Sequence, residues 1–141
     1  MIGARRVLLD SAVPLYAFGG PSQAQAACLG VMRAVAAGEL EGFASVEMIQ
    51  EFVHHRLRRT GDRTAAVDAG RDLSAIVELL AFDESVLDLS LALVAGPSRV
   101  RGRDAVHAAT ALFYDLEEIV SPDPAFDGVP GLRRTPPDQL G

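Results

Sequence analysis

The chain has 141 residues, of which 49% are hydrophobic, so it is long enough for one domain with a real core and too apolar to be disordered. Its net charge is −6 and all 13 of its basic residues are arginines, which disfavours a broad nucleic-acid-binding surface but allows a local basic rim. No apolar run is long enough to span a membrane, no secretion signal is recognisable, and Cys28 is the only cysteine, so we expect a cytoplasmic protein without a disulfide or a cysteine metal cluster.

The N-terminal part of the chain predicts two strands, each followed by a helix. Arg6–Asp10 is an apolar strand that ends in an acid, and Ser11 is placed to cap a short helix that extends to Phe18. A longer helix is predicted over Gln23–Ala37, where the following glycine ends it. Leu40–Ala44 is the second strand.

The central part predicts two amphipathic helices separated by a turn at residues 60–62. Ser45 caps the first, whose apolar stripe consists of Val46, Ile49, Val53 and Leu57. Thr64 begins the second, whose apolar face consists of Leu73, Ile76, Val77 and Leu80.

The C-terminal part predicts up to three further strands and two helices. Leu79–Asp83 is a third strand that merges with the helix before it, and Ser85–Ala95 is a helix. A second helix has Asp104 in its first turn and a stripe of mostly small residues, Ala105, Ala108, Ala109 and Leu112. Glu118–Ser121 is a buried strand and Leu132–Thr135 an edge strand, so we predict an α/β fold with a mainly parallel sheet of four or five strands.

Four carboxylates stand where such a fold concentrates function. Asp10 ends the first strand, Asp123 follows the fourth, Asp104 begins the helix between them, and Glu51 lies on the helix that Ser45 caps. The carboxyl ends of parallel strands meet at one edge of the sheet, so Asp10 and Asp123 should be neighbours if their strands pair. Carboxylates brought together repel unless a cation neutralises them, and oxygen ligands with open water positions suit Mg²⁺ or Mn²⁺.

Each acid also has an ordinary structural interpretation. Asp10 is consistent with a strand-end cap, Glu51 with a solvated helix residue, Asp104 with a helix-dipole partner and Asp123 with a turn residue. Their joint order along the chain is what favours a site. Glu47 lies one turn before Glu51 and is its main competitor.

Two further groups lie near these acids. His107 is one turn after Asp104 and is a metal ligand, a polar residue at the margin of the site, or a helix histidine with satisfied hydrogen bonds. His54, His55, Arg56, Arg58 and Arg59 follow Glu51 on its helix and form either a solvated face or a ridge for phosphates or a partner.

Four segments together resemble the acid-bearing segments of PIN-domain ribonucleases, and most closely those of VapC-type toxins from bacterial toxin–antitoxin pairs. In order they are VLLDSAVPLY, SVEMIQEFVHHRLRR, RDAVHAATAL and IVSPDPAFDGVPGL. The last of them is the most specific. The resemblance implies one three-layer α/β/α PIN-like domain over residues 1–141 that uses Mg²⁺ or Mn²⁺ to hydrolyse RNA phosphodiester bonds.

The resemblance also implies roles for individual residues. Asp10 and Asp104 would bind the metal directly, and Glu51 and Asp123 would complete the cluster or bind through water. Ser11 and Ser121 would orient the acids, and Arg56 and Arg103 are candidates for substrate binding. Ala12 and Pro14 depart from the family pattern, but neither replaces a ligand.

Members of this family usually form homodimers and are inhibited by a small antitoxin, often through an arginine that reaches the acids. The segments Cys28–Val35 and Val67–Leu80 carry apolar faces that we expect to supply these partner surfaces. The alternatives are an inactive PIN-like binding module and a housekeeping RNA-processing nuclease. A haloacid-dehalogenase-type phosphatase is disfavoured because Ala12 stands where that chemistry needs a second acid.

Overall fold

A five-stranded sheet forms the centre of the protein in the computed structural model, which describes residues 3–140. Its strands are β1 (Arg5–Leu9), β2 (Leu40–Ser45), β3 (Glu78–Leu80), β4 (Glu118–Val120) and β5 (Arg133–Thr135). They lie in the order β3-β2-β1-β4-β5, and every neighbouring pair is parallel. The predicted α/β class with a parallel sheet is confirmed, and β1 and β4 are direct neighbours.

Six α-helices cover the two faces of this sheet within the described residues. They are α1 (Ala12–Ala17), α2 (Gln25–Ala36), α3 (Val46–Thr60), α4 (Arg63–Ile76), α5 (Glu84–Ala95) and α6 (Gly102–Phe113). Val7 and Leu9 point into a core with α1–α4, whereas Leu8 between them points into a second core with α5 and α6. This alternation is the period of two expected of a strand, and it gives the three-layer α/β/α arrangement.

The chain runs from β1 outward to β2 and β3 on one side and later to β4 and β5 on the other. The boundary between the paired strands β1 and β4 is therefore the point at which the direction of winding reverses. Open parallel sheets bind ligands at the carboxyl ends of the strands beside such a point. Asp10 and Ser121 are the first residues after these two strands.

Most predicted boundaries agree with the structure to within two residues, but two predictions near α4 were wrong. The helix ends at Ile76, because Val77 is extended with ψ of 156°, so Leu80 belongs to a strand and not to the helix face. The third strand covers only Glu78–Leu80, paired with residues 43–45 of β2. Asp83 instead caps α5, where its carboxylate accepts a hydrogen bond from the backbone N–H of Val86 at 3.1 Å.

Two other expectations are corrected. Ser11 precedes α1 but its side chain makes no capping hydrogen bond, whereas Ser45 does cap α3 by accepting one from the Glu47 N–H at 3.2 Å.

The apolar face of Cys28–Val35 is buried in the first core and is unavailable to a partner. On Val67–Leu80, Leu73 is buried while Val67, Ile76 and Leu79 are exposed. No helix between residues 3 and 140 is both long and apolar enough to cross a membrane.

Candidate active site

Asp10 lies at the centre of the candidate site, at the carboxyl end of β1. Its backbone N–H donates to the Val120 carbonyl at 3.2 Å, which continues the pairing between β1 and β4 by one residue. The Ser121 hydroxyl donates to Asp10 Oδ2 at 2.7 Å and the Ser11 hydroxyl lies 3.5 Å from Oδ1. Of the two serines that the resemblance implied as supports, Ser121 thus holds the Asp10 side chain in place, while Ser11 lies at the outer limit of hydrogen-bonding distance.

Asp123 reaches the same edge of the sheet from the loop after β4. Its backbone N–H donates to the Ser121 hydroxyl at 3.0 Å, so Ser121 joins Asp123 to Asp10. Asp123 Oδ1 accepts from the Ala125 N–H at 2.9 Å and caps the short 3₁₀ helix Pro124–Gly128. One carboxylate oxygen of Asp123 has a structural partner and the other remains available.

Asp104 lies in the first turn of α6, at the end of the helix where a negative charge is favoured. Burial raises the pKa of its carboxyl to about 6, with further contributions from the charges of Asp10, Asp123 and Glu51 that outweigh the opposing effect of His107. Burial likewise raises the pKa of Asp10, to which the charge of Glu51 also contributes. Together with the Ser121 link between Asp10 and Asp123, these mutual effects indicate that the four acids lie within electrostatic reach of one another.

Glu51 enters this cluster from α3 through a contact with a buried histidine. His107 Nε2 lies 3.1 Å from Glu51 Oε1, and the imidazole is completely buried. Burial opposes ionisation of Glu51, but its interactions with His107, with smaller contributions from Ser11 and Arg103, leave its pKa below the ordinary value. Glu51 is therefore a carboxylate at neutral pH and only accepts hydrogen bonds, so Nε2 carries the hydrogen.

His107 is thus not a helix histidine with both nitrogens satisfied but a buried polar residue that lies against Glu51, at the margin of the acids. Its Nδ1 is the single buried side-chain nitrogen or oxygen in residues 3–140 that lacks a hydrogen-bond partner. An unpartnered buried polar atom carries a cost in stability, and such costs are tolerated most readily at functional sites. The spacing of three residues from Asp104 to His107 places both on one face of α6 and indicated that His107 lies near the acids, whereas its contact with Glu51 had no signal in the sequence.

The competing acid Glu47 occupies the first turn of α3 beside the cap, where its backbone N–H donates to the Ser45 hydroxyl. Glu51, one turn further on, contributes to the pKa shifts of both Asp10 and Asp104. The structure therefore brings Glu51 to the other three acids in preference to Glu47.

The donor atoms of this cluster suit a hard divalent cation. As they stand, no three Asp, Glu, His or Cys side chains in the described part of the chain are arranged around a common metal position. Mg²⁺, however, is commonly bound by only one or two carboxylates, with water in the remaining positions. Asp10 and Asp104, two partly or wholly buried carboxylates that repel each other, fit that requirement.

The two arginines suggested for substrate binding have different surroundings. Arg56 Nη1 donates to the Phe18 carbonyl at 2.9 Å and its guanidinium lies over the Phe52 ring, 5.7 Å from the centroid. Arg56 thus ties α3 to the end of α1. Arg103 is exposed, lies in the same cavity wall as Glu51, and helps to lower the pKa of that acid.

Comparison with known proteins places these observations in context. Residues 7–132 match the PIN domain family. The chain is 31% identical over 137 residues to Ribonuclease VapC7 of Mycobacterium tuberculosis, an alignment that covers 96% of this chain and 94% of that protein.

Solved structures show the same fold. The crystal structure of Mycobacterium tuberculosis VapC20, described as a sarcin–ricin-loop-cleaving toxin, has a TM-score of 0.65 at 21% identity and covers 86% of this chain and 90% of its own. A toxin–antitoxin complex from Klebsiella pneumoniae has a TM-score of 0.69 at 17% identity, over 93% of this chain and 97% of that one.

Proposed function

This chain belongs to the PIN-domain family and to its VapC ribonucleases, and from that premise we propose that it cleaves RNA with the help of Mg²⁺ or Mn²⁺ bound at the four acids. Its role is that of the toxin of a toxin–antitoxin pair. The observation that supports the proposal is the geometry at the carboxyl ends of β1 and β4: Ser121 links Asp10 to Asp123, and α6 carries both Asp104 and the His107 that contacts Glu51.

The direct metal ligands in this proposal are Asp10 and Asp104. They would hold a divalent ion, which would supply a water of lowered pKa and stabilisation of the charge that develops on a phosphodiester during hydrolysis. Ser121 donates to one oxygen of Asp10 and so fixes the orientation of the carboxylate. Glu51, held by His107, and Asp123, held by the Ala125 N–H, complete the cluster directly or through water.

The partners in this proposal are an RNA substrate, a small cognate antitoxin and a second copy of the chain. Solved relatives include a complex described as toxin–antitoxin, which supports an antitoxin partner. A cluster of four acids is a suitable target for an arginine of such a partner. A short upstream reading frame for a small DNA-binding protein would support this pairing, whereas its absence would favour a housekeeping RNA-processing nuclease.

An inactive PIN-like binding module remains the alternative without catalysis. Such a module has no need to hold four mutually repelling carboxylates together, because each adds an electrostatic cost to folding. The retention of all four therefore favours an active nuclease.

The proposal is tested with Asp10→Asn and Asp104→Asn, and Asp68→Asn on the exposed surface of α4 is the matched control. We expect the rate of RNA cleavage to fall by more than about 100-fold in both site variants, and growth arrest to be lost. Removing a residue that merely hydrogen-bonds to a metal ligand already lowers metal affinity or activity about 10- to 100-fold. Thermal melts would show that each variant is folded. Full cleavage by both folded site variants would refute the assignment of the active site.

A further inference from the structure

A basic cavity of about 480 Å³ opens beside the acidic cluster, between α3, the end of α1 and the start of α6. Its polar lining consists of Glu51, His54, His55, Arg58, Arg59 and Arg103. Glu51 is the residue that the cavity shares with the four acids. The cavity is therefore continuous with the site at which we propose that RNA is cleaved.

The lining residues of α3 form one stripe along the helix. His54 and His55 lie three and four residues after Glu51, and Arg58 and Arg59 lie seven and eight residues after it. The arginines are thus about two turns, or roughly 10–12 Å, further along the helix axis than the acid. Arg56 is off this stripe, and its guanidinium is occupied by Phe18 and Phe52.

The guanidinium groups in this cavity are free to bind a ligand. Arg58, Arg59 and Arg103 are exposed, and none of them forms an ion pair within residues 3–140. This is notable in a chain with a net charge of −6, in which acids are more numerous than arginines. The charge of an arginine persists at any physiological pH, and its planar guanidinium matches two oxygens of a phosphate.

We infer that Arg58, Arg59 and Arg103 bind phosphates of the RNA strand on one side of the bond that is cleaved. This inference rests on the proposed ribonuclease function. Four carboxylates repel a polyanion, so the strand needs nearby positive charge to remain close to them. Arg58 and Arg59 supply that charge about two helical turns from Glu51, and Arg103 supplies it beside Asp104.

An acidic peptide is the other ligand that such a cavity attracts. RNA is favoured because the cavity opens directly onto the acids, next to which an RNA substrate must lie for cleavage. An acidic peptide has no bond for the four acids to cleave, so its carboxylates gain nothing from lying next to Glu51.

The test is RNA binding by Arg58→Gln and Arg59→Gln in an Asp10→Asn background, which prevents cleavage. Arg71→Gln, an exposed arginine of α4 outside the cavity, is the control. A short fluorescent single-stranded RNA is titrated with the full-length protein between about 50 and 200 mM salt. We expect each cavity variant to bind about 3- to 10-fold more weakly, with a salt dependence that falls by roughly 0.7 per lost phosphate contact, and the control to be unchanged.

Two results would overturn the inference. Cavity variants that bind RNA with the affinity and salt dependence of the control would show that the strand does not lie there. Variants that keep RNA binding but lose the cognate antitoxin would assign the cavity to an acidic peptide. RNA cleavage is measured in parallel with the protein that retains Asp10. If this protein binds RNA through the cavity but does not cleave it, the proposed function is refuted while the inference about the cavity stands.

Discussion

Replacing His107 with leucine tests whether the histidine positions Glu51 or merely fills the core. The imidazole is completely buried and makes one hydrogen bond, from Nε2 to Glu51 Oε1 at 3.1 Å, while Nδ1 has no partner. Losing a hydrogen bond to a charged acceptor costs about 1.5–3 kcal/mol, and the cost here falls at the lower end because the Glu51 side chain is 23% exposed and gains water. Removing the unpartnered Nδ1 recovers about 1–3 kcal/mol.

These opposing effects predict that His107→Leu changes the free energy of unfolding only slightly, between a loss of about 0.5 and a gain of about 1.5 kcal/mol. RNA cleavage should nevertheless fall about 10- to 100-fold, the usual effect of losing a residue that orients a metal-site acid. His107→Gln provides the matched control, because the glutamine amide places an N–H donor near the position of Nε2. We expect it to recover most of the activity.

The assays are urea unfolding, RNA cleavage at saturating substrate, and calorimetric titration of Mn²⁺. A leucine variant that cleaves RNA at the rate of the original protein would refute the positioning role. A loss of more than about 3 kcal/mol would instead identify His107 as a core residue with no separate influence on the site.

Two further predictions concern the scaffold. Burial raises the pKa of Glu118, but its hydrogen bonds and ion pairs, chiefly with Arg5, outweigh burial and leave this pKa below its ordinary value of 4.5. The ionised Glu118 therefore stabilises the fold fully above pH 4.5, and this stabilisation is lost progressively as the pH falls below 4.5. Glu118→Gln should therefore cost about 1–2 kcal/mol at pH 7 and less in acid, and a difference in melting temperature that does not shrink at low pH would contradict this. In Gly70→Ala the new Cβ would lie 2.3 Å from Val53 Cγ2 on α3, so we expect a net loss of stability despite the gain of about 1 kcal/mol in helix propensity. Val53→Ala should rescue that variant, and a Gly70→Ala protein with a raised melting temperature would show that α3 and α4 pack differently.

The strand ends and their acids could be predicted because each signal is local. The apolar runs that form β1 and β4 stop next to Asp10 and Ser121, and parallel strands place such ends on one edge. The sequence left open only whether β1 and β4 are neighbours in the sheet, and the structure shows that they are. Ser45 was recognisable as a cap because the periodicity of α3 begins directly after it.

The errors arose where tertiary contacts decide. From Ile76 to Leu80 the apolar residues suit both a helix and a strand, and pairing of Leu79 with Ala44 selects the strand. The apolar face of Cys28–Val35 could not be assigned to a core or a partner from its pattern alone. The contacts of Arg56 could not be predicted from the pattern either, because the Phe18 carbonyl and the Phe52 ring are brought next to it by folding.

The most direct test of the central claim is Mn²⁺ binding to the purified protein, measured by calorimetry. We expect one site whose affinity for Mn²⁺ falls at least about 10-fold in Asp10→Asn and in Asp104→Asn, and is unchanged in Asp68→Asn. RNA cleavage should require the ion and should stop when it is chelated. Equal affinity in all four proteins, or cleavage that persists in excess chelator, would contradict the claim that these carboxylates form a metal-dependent nuclease site.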